Sequence, residues 1–380
     1  MRGLFKFLKG LVILLIALVA LLYITDYEYI LKGVRVVYMT GHTTAFIDDH
    51  VYFENDTIEN AEQPWEWPKH PAYNSVSMTE RLEQTHKDLG TVAFAIIKND
   101  SLWFEHYSEG YSAASQTNSF SMAKSITTAL LGKAIADGYI KGLDQPIGDF
   151  FEQYKGEKTT VGNLSSMASG LDWEESYKSP FSVTARAYYD DDLAETILGQ
   201  KVVDEPGQGF RYLSGNTQLL GMIVQKATGQ SLSDYLESSF WKPLGMQQDA
   251  LWQVDDQDNR LAKSYCCIAS NALDFARFGR LFKNHGRWDG KQILDSAFVA
   301  KATVARFEGE PYGYGFWISD HLDKHIFVMR GILGQYVITI PEDDLIIVRL
   351  GHQLGAREAG DDFTSDFYKY IEETYAMIGN

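Results

Sequence analysis

Apolar and polar positions change rhythm several times along the chain. Residues 11–24 form an unbroken apolar run of Leu, Val, Ile, Ala and Tyr, preceded by Arg2, Lys6 and Lys9. The run alone has the length of a signal-peptide core. Counted from Leu4 it reaches the roughly 20 residues that a membrane span needs, because Lys6 and Lys9 can snorkel back to the headgroups. Cleavage would require a small-x-small site. The run leads instead into Tyr23, Thr25, Asp26, Tyr27, Glu28 and Tyr29, and a cut after Ala20 would put Leu18 at the upstream small position. Residues 1–25 are therefore expected to be an uncleaved anchor rather than a cleaved signal. Cations before the run and acids after it direct the rest of the chain out of the cytoplasm, to the periplasmic side of a bacterial inner membrane.

Residues 26–85 carry many aromatics and acids, with Pro64, Pro68 and Pro71 closely spaced, and read as a linker and wrapping segment. Strand patterning follows. Residues 91–98 and 102–107 are β-rich and flank Asn99-Asp100, a hairpin signal. Residues 125–136 place Ala, Leu and Ile at helical spacing and stop at Asp137-Gly138. From about 158 to 290 the patterning is mainly helical, punctuated by Gly170, Pro206-Gly207, Gly229 and Pro243. Strands return at 314–319, 326–329, 336–340 and 345–350, and 361–377 closes the chain as an amphipathic helix. Strands at both ends with helices between predict an α/β domain over 86–380. Its sheet should be flanked by helices, with a helical subdomain inserted at about 158–290.

Composition adds exclusions. Hydrophobic residues make up 45% and charged residues 22% of the 380, which fits a globular protein and excludes a mainly disordered one. Thirty-four Lys and Arg against 51 Asp and Glu give a net charge of −17, so nucleic acid is not an expected partner. Cys266 and Cys267 are adjacent and cannot staple distant segments; they read as two buried thiols in preference to a vicinal disulfide. With no C-x-x-C, and with His321 and His325 flanking a strand rather than sharing a helix face, no metal and no cofactor is expected. Asp190-Asp191-Asp192 reads as a solvated helix start.

The chain contains no G-x-S-x-G, H-E-x-x-H or phosphate-binding glycine loop. It does contain S-x-x-K twice, at Ser121-Met122-Ala123-Lys124 and at Ser239-Phe240-Trp241-Lys242. A pattern this short arises by chance, so context must separate the two. Pro243-Leu244-Gly245 should stop any helix around Ser239, leaving Lys242 unable to lie one turn from it. Ser121 opens the 125–136 helix, where residues three apart share a face and Lys124 can approach the Ser121 hydroxyl. Partial positive charge at the helix start favours an alkoxide, and burial lowers a lysine pKa toward a usable base. The bland alternative is a serine cap followed by a surface lysine.

Ser119-Phe120-Ser121-Met122-Ala123-Lys124-Ser125 resembles the nucleophile segment of the class C type serine β-lactamase-like hydrolases, a superfamily of β-lactamases, DD-peptidases, esterases and 6-aminohexanoate-dimer hydrolases. Phe210-Arg211-Tyr212-Leu213-Ser214-Gly215-Asn216 is similar to its tyrosine element, and Trp241-Lys242-Pro243-Leu244-Gly245-Met246 to its PLGM segment. Asp274-Phe275-Ala276-Arg277 and Tyr312-Gly313-Tyr314-Gly315-Phe316-Trp317 follow in the family's order. The resemblance covers roughly 75–378. It implies a β-lactamase/transpeptidase-like antiparallel sheet with flanking helices. It also implies Ser121 as nucleophile, Lys124 and Tyr212 sharing its proton, and backbone N–H groups of Ser121 and Ile332 as the oxyanion hole. Ser214 would bond the lysine and leaving group, Tyr177 would reach over the substrate, and Gly331 would admit close approach. Met329 stands where β-lactam enzymes carry a lysine for the substrate carboxylate, which points to the 6-aminohexanoate-dimer hydrolase and esterase branch. Arg330 is the neighbouring cation, and strand alternation gives it the opposite face from Met329. The expected partner is a small amide or ester. Alternative readings are a β-lactamase or DD-peptidase-like enzyme, and a membrane sensor that acylates slowly without turnover.

Overall fold

In the computed structural model, which describes residues 1–379, Asn99 and Asp100 both take left-handed backbone, with φ of 50° and 53°. Two such residues in succession give the turn whose twist matches antiparallel strands, and they join Thr91–Lys98 to Ser101–Tyr107. The hairpin edges a six-stranded sheet. Its order is Ser101–Tyr107, Thr91–Lys98, Leu345–Gly351, Tyr336–Ile340, Ile326–Arg330 and Trp317–Ser319, antiparallel throughout. The N-terminal hairpin and the C-terminal strands thus close into one sheet, as the patterning predicts.

Period-two alternation divides this sheet between two cores. Phe94, Ile96, Val328, Ile338 and Ile347 face the closing helix Ser365–Gly379, meeting Phe367, Tyr370 and Ile371. Ala95, Ile97, Met329, Val337 and Val348 face the opposite way, into the core shared with the helices Ala123–Ala136 and Ala272–Lys283. Ala123–Ala136 also packs on Ser214–Thr228 of the inserted region. It is covered on nearly every side, which is why its sequence is apolar beyond a single stripe.

The inserted region departs from a purely helical reading. Ala250–Gln253 and Ile268–Ser270 join Thr117–Asn118 and Asn55–Ile58 in a small four-stranded sheet. Strands of two to four residues are too short to reveal a period. Asn55–Ile58 belongs to the 26–85 segment, which also buries Ile47 and Trp67 and donates the Trp67 indole N–H to the Leu273 carbonyl at 3.0 Å.

Arg2–Ile24 is a single helix of 23 residues with an 18-residue window of mean hydropathy 2.7 and no buried residue. At about 1.5 Å per residue it is long enough for the roughly 30 Å hydrocarbon layer. Its length and composition suit a membrane anchor or a signal sequence.

Two expectations need correction. Cys266 and Cys267 are joined as a vicinal disulfide rather than held as two thiols. The chain turns sharply here, with Cys267 at φ 75°, and Trp252 Nε1 donates to the Lys263 and Cys266 carbonyls at 3.0 and 3.2 Å. That turn sets neighbouring sulfurs side by side. Around Ser239 the helix does not stop early: Glu237–Trp241 continues as a wide π turn. Lys242 is diverted from Ser239 by charge, reaching Glu237 at 2.7 Å and Glu59 at 3.1 Å.

The Asp274 to Arg277 segment has a structural role. Both side chains are fully buried, with Arg277 Nε 2.9 Å from Asp274 Oδ1. Asp274 accepts the Gln247 and Gln248 N–H groups at 2.9 and 3.1 Å, and Arg277 donates to the Leu244 and Trp65 carbonyls at 3.3 and 2.6 Å. The pair therefore ties the Pro243 to Met246 corner and the wrapping segment to one helix. Removing one charge leaves the other buried and unpaired, so Asp274→Ala should cost about 3–5 kcal/mol. Urea denaturation of the detergent-solubilised chain reads this as a lowered midpoint; the exposed control Lys291→Ala should stay within about 0.5 kcal/mol.

Candidate active site

Ser121 lies in the short turn Phe120–Met122 that leads into Ala123–Ala136. Phe120, just before it, has φ 46°, a conformation that costs a bulky residue about 1–3 kcal/mol. The surroundings impose it: Phe120 N–H donates to Asn118 Oδ1 and Ser119 N–H to the Ile268 carbonyl, both at 2.8 Å. The strained step turns the Ser121 side chain out at the head of the helix.

Lys124 follows one turn later and is 1% exposed. Its Nζ lies 3.0 Å from Ser121 Oγ, 3.1 Å from Ser214 Oγ and 2.9 Å from the Tyr265 carbonyl. Burial pushes its pKa down to about 8, with the Glu175 charge acting in the opposite direction. A neutral amine in this cradle can keep its two N–H bonds for Ser214 and Tyr265 and turn its lone pair to the Ser121 hydroxyl.

The Tyr212 ring centroid is 5.0 Å from Lys124 Nζ. Tyr312 and Trp317 hold the ring, with centroids at 5.9 and 5.3 Å. Burial raises the phenol above its ordinary value of 10, while the Ser121 hydroxyl and the Arg330 charge pull the other way. Tyr212 is therefore a protonated phenol at neutral pH.

Glu175 belongs to the same cluster and was missed from the sequence. One oxygen accepts the Ser214 N–H at 2.6 Å and the Trp173 indole N–H at 2.8 Å. The other accepts the Ser214 hydroxyl at 2.7 Å and the Tyr177 hydroxyl. All its acceptor positions are used, the arrangement that suits an ionised carboxylate. Ser214 thus hands its proton to Glu175 and offers its lone pair to Lys124. The only sequence signal was Trp173-Glu174-Glu175-Ser176-Tyr177, where nothing distinguishes Glu175 from Glu174.

Opposite Ser121, the turn after Ile326–Arg330 carries Gly331 to Gln335. A Cβ on Gly331 would lie 2.7 Å from the Ser119 carbonyl and 2.5 Å from Gln335 Oε1, so only glycine lets this turn approach the Ser119 to Ser121 segment. The Gly331 and Leu333 N–H groups bond to Gln335, whereas the Ile332 N–H has no partner among the described residues. Met329 points into the core behind Ala123–Ala136. Arg330 lies on the other face, 5.0 and 5.2 Å from the Trp317 and Phe363 ring centroids, and donates to the Asp362 carbonyl at 3.1 Å.

A cavity of about 120 Å³ opens over Ser121. Of the expected residues, Ser121, Ser214, Tyr177 and Ile332 line it, and Lys124, Tyr212 and Gly331 do not. A wider open depression near His321 and Glu372 holds none of these groups.

Comparison with known proteins agrees with this geometry. The Beta-lactamase family matches residues 79–368. The chain is 24% identical over 299 residues to the 6-aminohexanoate-dimer hydrolase of Paenarthrobacter ureafaciens, covering 72% of this chain and 74% of that one. Protein flp of Staphylococcus aureus is 28% identical over 157 residues, 41% of this chain and 30% of its own. Among solved structures, a Bacillus anthracis protein described as a 6-aminohexanoate-dimer hydrolase superposes with TM-score 0.72 at 21% identity, covering 86% of this chain and 90% of that one. The D-amino acid amidase of Ochrobactrum anthropi SV3 superposes with TM-score 0.58 at 18% identity, over 79% and 98%. These likenesses establish a shared fold. With the family matched across the sheet, the inserted helices and the Ser121 cluster, the chain belongs to the Beta-lactamase family, as a hydrolase on the serine β-lactamase-like fold.

Proposed function

We propose that the protein is a membrane-anchored serine hydrolase that cleaves an amide or ester through an acyl-enzyme on Ser121, with its catalytic domain on the periplasmic side of the membrane. The observation that carries this reading is the buried Lys124 amine held between Ser121 and Ser214, 3.0 and 3.1 Å away. An amide is supported by the relatives whose names state amide-cleaving activities, the 6-aminohexanoate-dimer hydrolase and the D-amino acid amidase. Membrane attachment is supported by the exposed apolar helix and by the lack of a small-x-small site after it.

The steps follow from the contacts. Neutral Lys124 takes the Ser121 proton as Oγ attacks the carbonyl carbon. The oxyanion meets the N–H groups of Ser121 and Ile332, each typically contributing about 3 kcal/mol. The ammonium on Lys124 is favoured by the Glu175 charge relayed through Ser214. Tyr212, being a protonated phenol, delivers its proton to the leaving group as the C–N or C–O bond breaks, and recovers one from Lys124. Water then attacks the acyl-enzyme and gives a proton through Tyr212 to Lys124, and Lys124 passes that proton to Ser121 Oγ as the acyl C–O bond breaks.

A fluorophosphonate probe should label Ser121 and leave Ser239 untouched; peptide mapping that finds the label elsewhere with Ser121 intact refutes the assignment. Substrate preference follows from Met329. A hydrogen bond to a charged group contributes about 1.5–3 kcal/mol, and each 1.4 kcal/mol is tenfold. Lacking that bond, the enzyme should turn over p-nitrophenyl butyrate with a larger kcat/KM than nitrocefin, by up to about a hundredfold. A larger constant for nitrocefin would assign the chain to the β-lactamase branch.

The role of Glu175 is read from a pH profile. Activity requires neutral Lys124, so kcat/KM should rise with pH through about 8. Glu175 favours the ammonium, so Glu175→Gln lowers the lysine pKa and should move this limb to lower pH. A residue that only shaped the loop would lower the plateau and leave the limb in place.

A further inference from the structure

Resting on the hydrolase reading above, we infer that the substrate is a membrane-resident amphiphile, presented to Ser121 by the bilayer with its ester or amide at the cavity mouth and its hydrocarbon remaining in the membrane. The first observation is connectivity. The segment that walls the cavity is docked directly on the residues that leave the apolar helix: Tyr27 meets Phe181 edge to face at 5.6 Å, the Tyr29 hydroxyl donates to the Pro180 carbonyl at 2.9 Å, and Asp26 pairs with Arg186 at 2.7 Å. Arg2–Ile24 ends two residues before Asp26, so the cavity wall cannot lie far from the bilayer surface that this helix would leave.

The second observation is the exposed apolar side chains on the wall segment and on the turn after the Tyr29–Val36 helix. Tyr177 and Phe181 on the wall segment are 55% and 64% exposed, and Tyr38 and Met39, on the turn that follows the Tyr29–Val36 helix, are 66% and 78% exposed. Phe181 packs on Tyr27 at the foot of the apolar helix, and exposed aromatic and apolar side chains of this kind suit the headgroup boundary, where they need not face bulk water. The occupant of this surface is the membrane that the same helix crosses.

The third observation is the cavity itself. Among the described residues, none of those lining it is charged; Ala45, Phe120, Ala185, Tyr188 and Leu333 supply much of the wall. At about 120 Å³ it is smaller than the roughly 300–1,000 Å³ of sites that enclose a drug-sized ligand. Only the uncharged reacting end can enter, and the remainder must stay at the rim.

The test uses the full chain in phosphatidylcholine vesicles, with p-nitrophenyl palmitate dissolved in the bilayer and p-nitrophenyl butyrate in the water. The variant Tyr38→Asp/Met39→Asp/Phe181→Asp should lose at least tenfold on the palmitate while changing less than twofold on the butyrate, whose turnover also reports an intact fold. Equal loss on both esters, or no loss on either, overturns the membrane-supplied substrate and leaves the hydrolase standing. A wild-type chain that cleaves neither ester overturns both readings.

Discussion

An amine without water is the constraint around which the molecule is arranged. Lys124 can accept a proton near neutral pH only if its ammonium form is destabilised, and burial does that. Burial alone would overshoot or leave an unsatisfied polar group, so the cradle supplies the Tyr265 carbonyl, Ser214 and, behind it, the Glu175 carboxylate. The helix carrying Lys124 therefore has to be enclosed from both sides. The sheet closes one side and Ser214–Thr228 the other, with the latter helix also delivering Ser214 at its first turn. The inserted helices are thus the second wall of the lysine's enclosure.

The same requirement explains where the chain departs from comfortable geometry. Phe120 is held in a left-handed conformation because the next residue must face the cavity while the helix behind it stays buried. The cost is offset by the Asn118 side chain and by pairing of Thr117–Asn118 with Ile268–Ser270. The small sheet, fed by the 26–85 segment, serves as a clamp on the Phe120–Met122 turn. Cys266 and Cys267 sit in the loop that carries the Tyr265 carbonyl, so their disulfide stiffens the lysine's third partner.

What the sequence disclosed follows from the range of the interactions involved. The large sheet was legible because five of its six strands run for five residues or more and Asn99-Asp100 names its own turn. Ser121 and Lys124 were legible because one helical turn joins them. Tyr212 and Ser214 came only through resemblance, since their approach to Lys124 depends on how the insertion folds back. Glu175 gave no signal, because two of its four hydrogen bonds come from Ser214, which only tertiary placement of the loop brings near. For the second S-x-x-K the structure gives a different reason from the expected helix stop: Ser239 and Lys242 share a continuous turn, and Glu237 and Glu59 draw the lysine away.

Alternation along one short strand also sets what the site can recognise. Because Met329 points into the core, the position that could present a cation beneath the substrate presents a thioether instead. Arg330, one residue on, is carried to the far face, where Trp317, Phe363 and the Asp362 carbonyl occupy it. Moving that charge into the cavity would require a one-residue slip, which would expel Phe327 and Met329 from one core and Val328 from the other. The sheet's two buried faces forbid the slip. The charge-free cavity is therefore fixed by the fold of the strand itself, and discrimination between substrates falls to what the apolar walls and the exposed tyrosine-rich rim can hold.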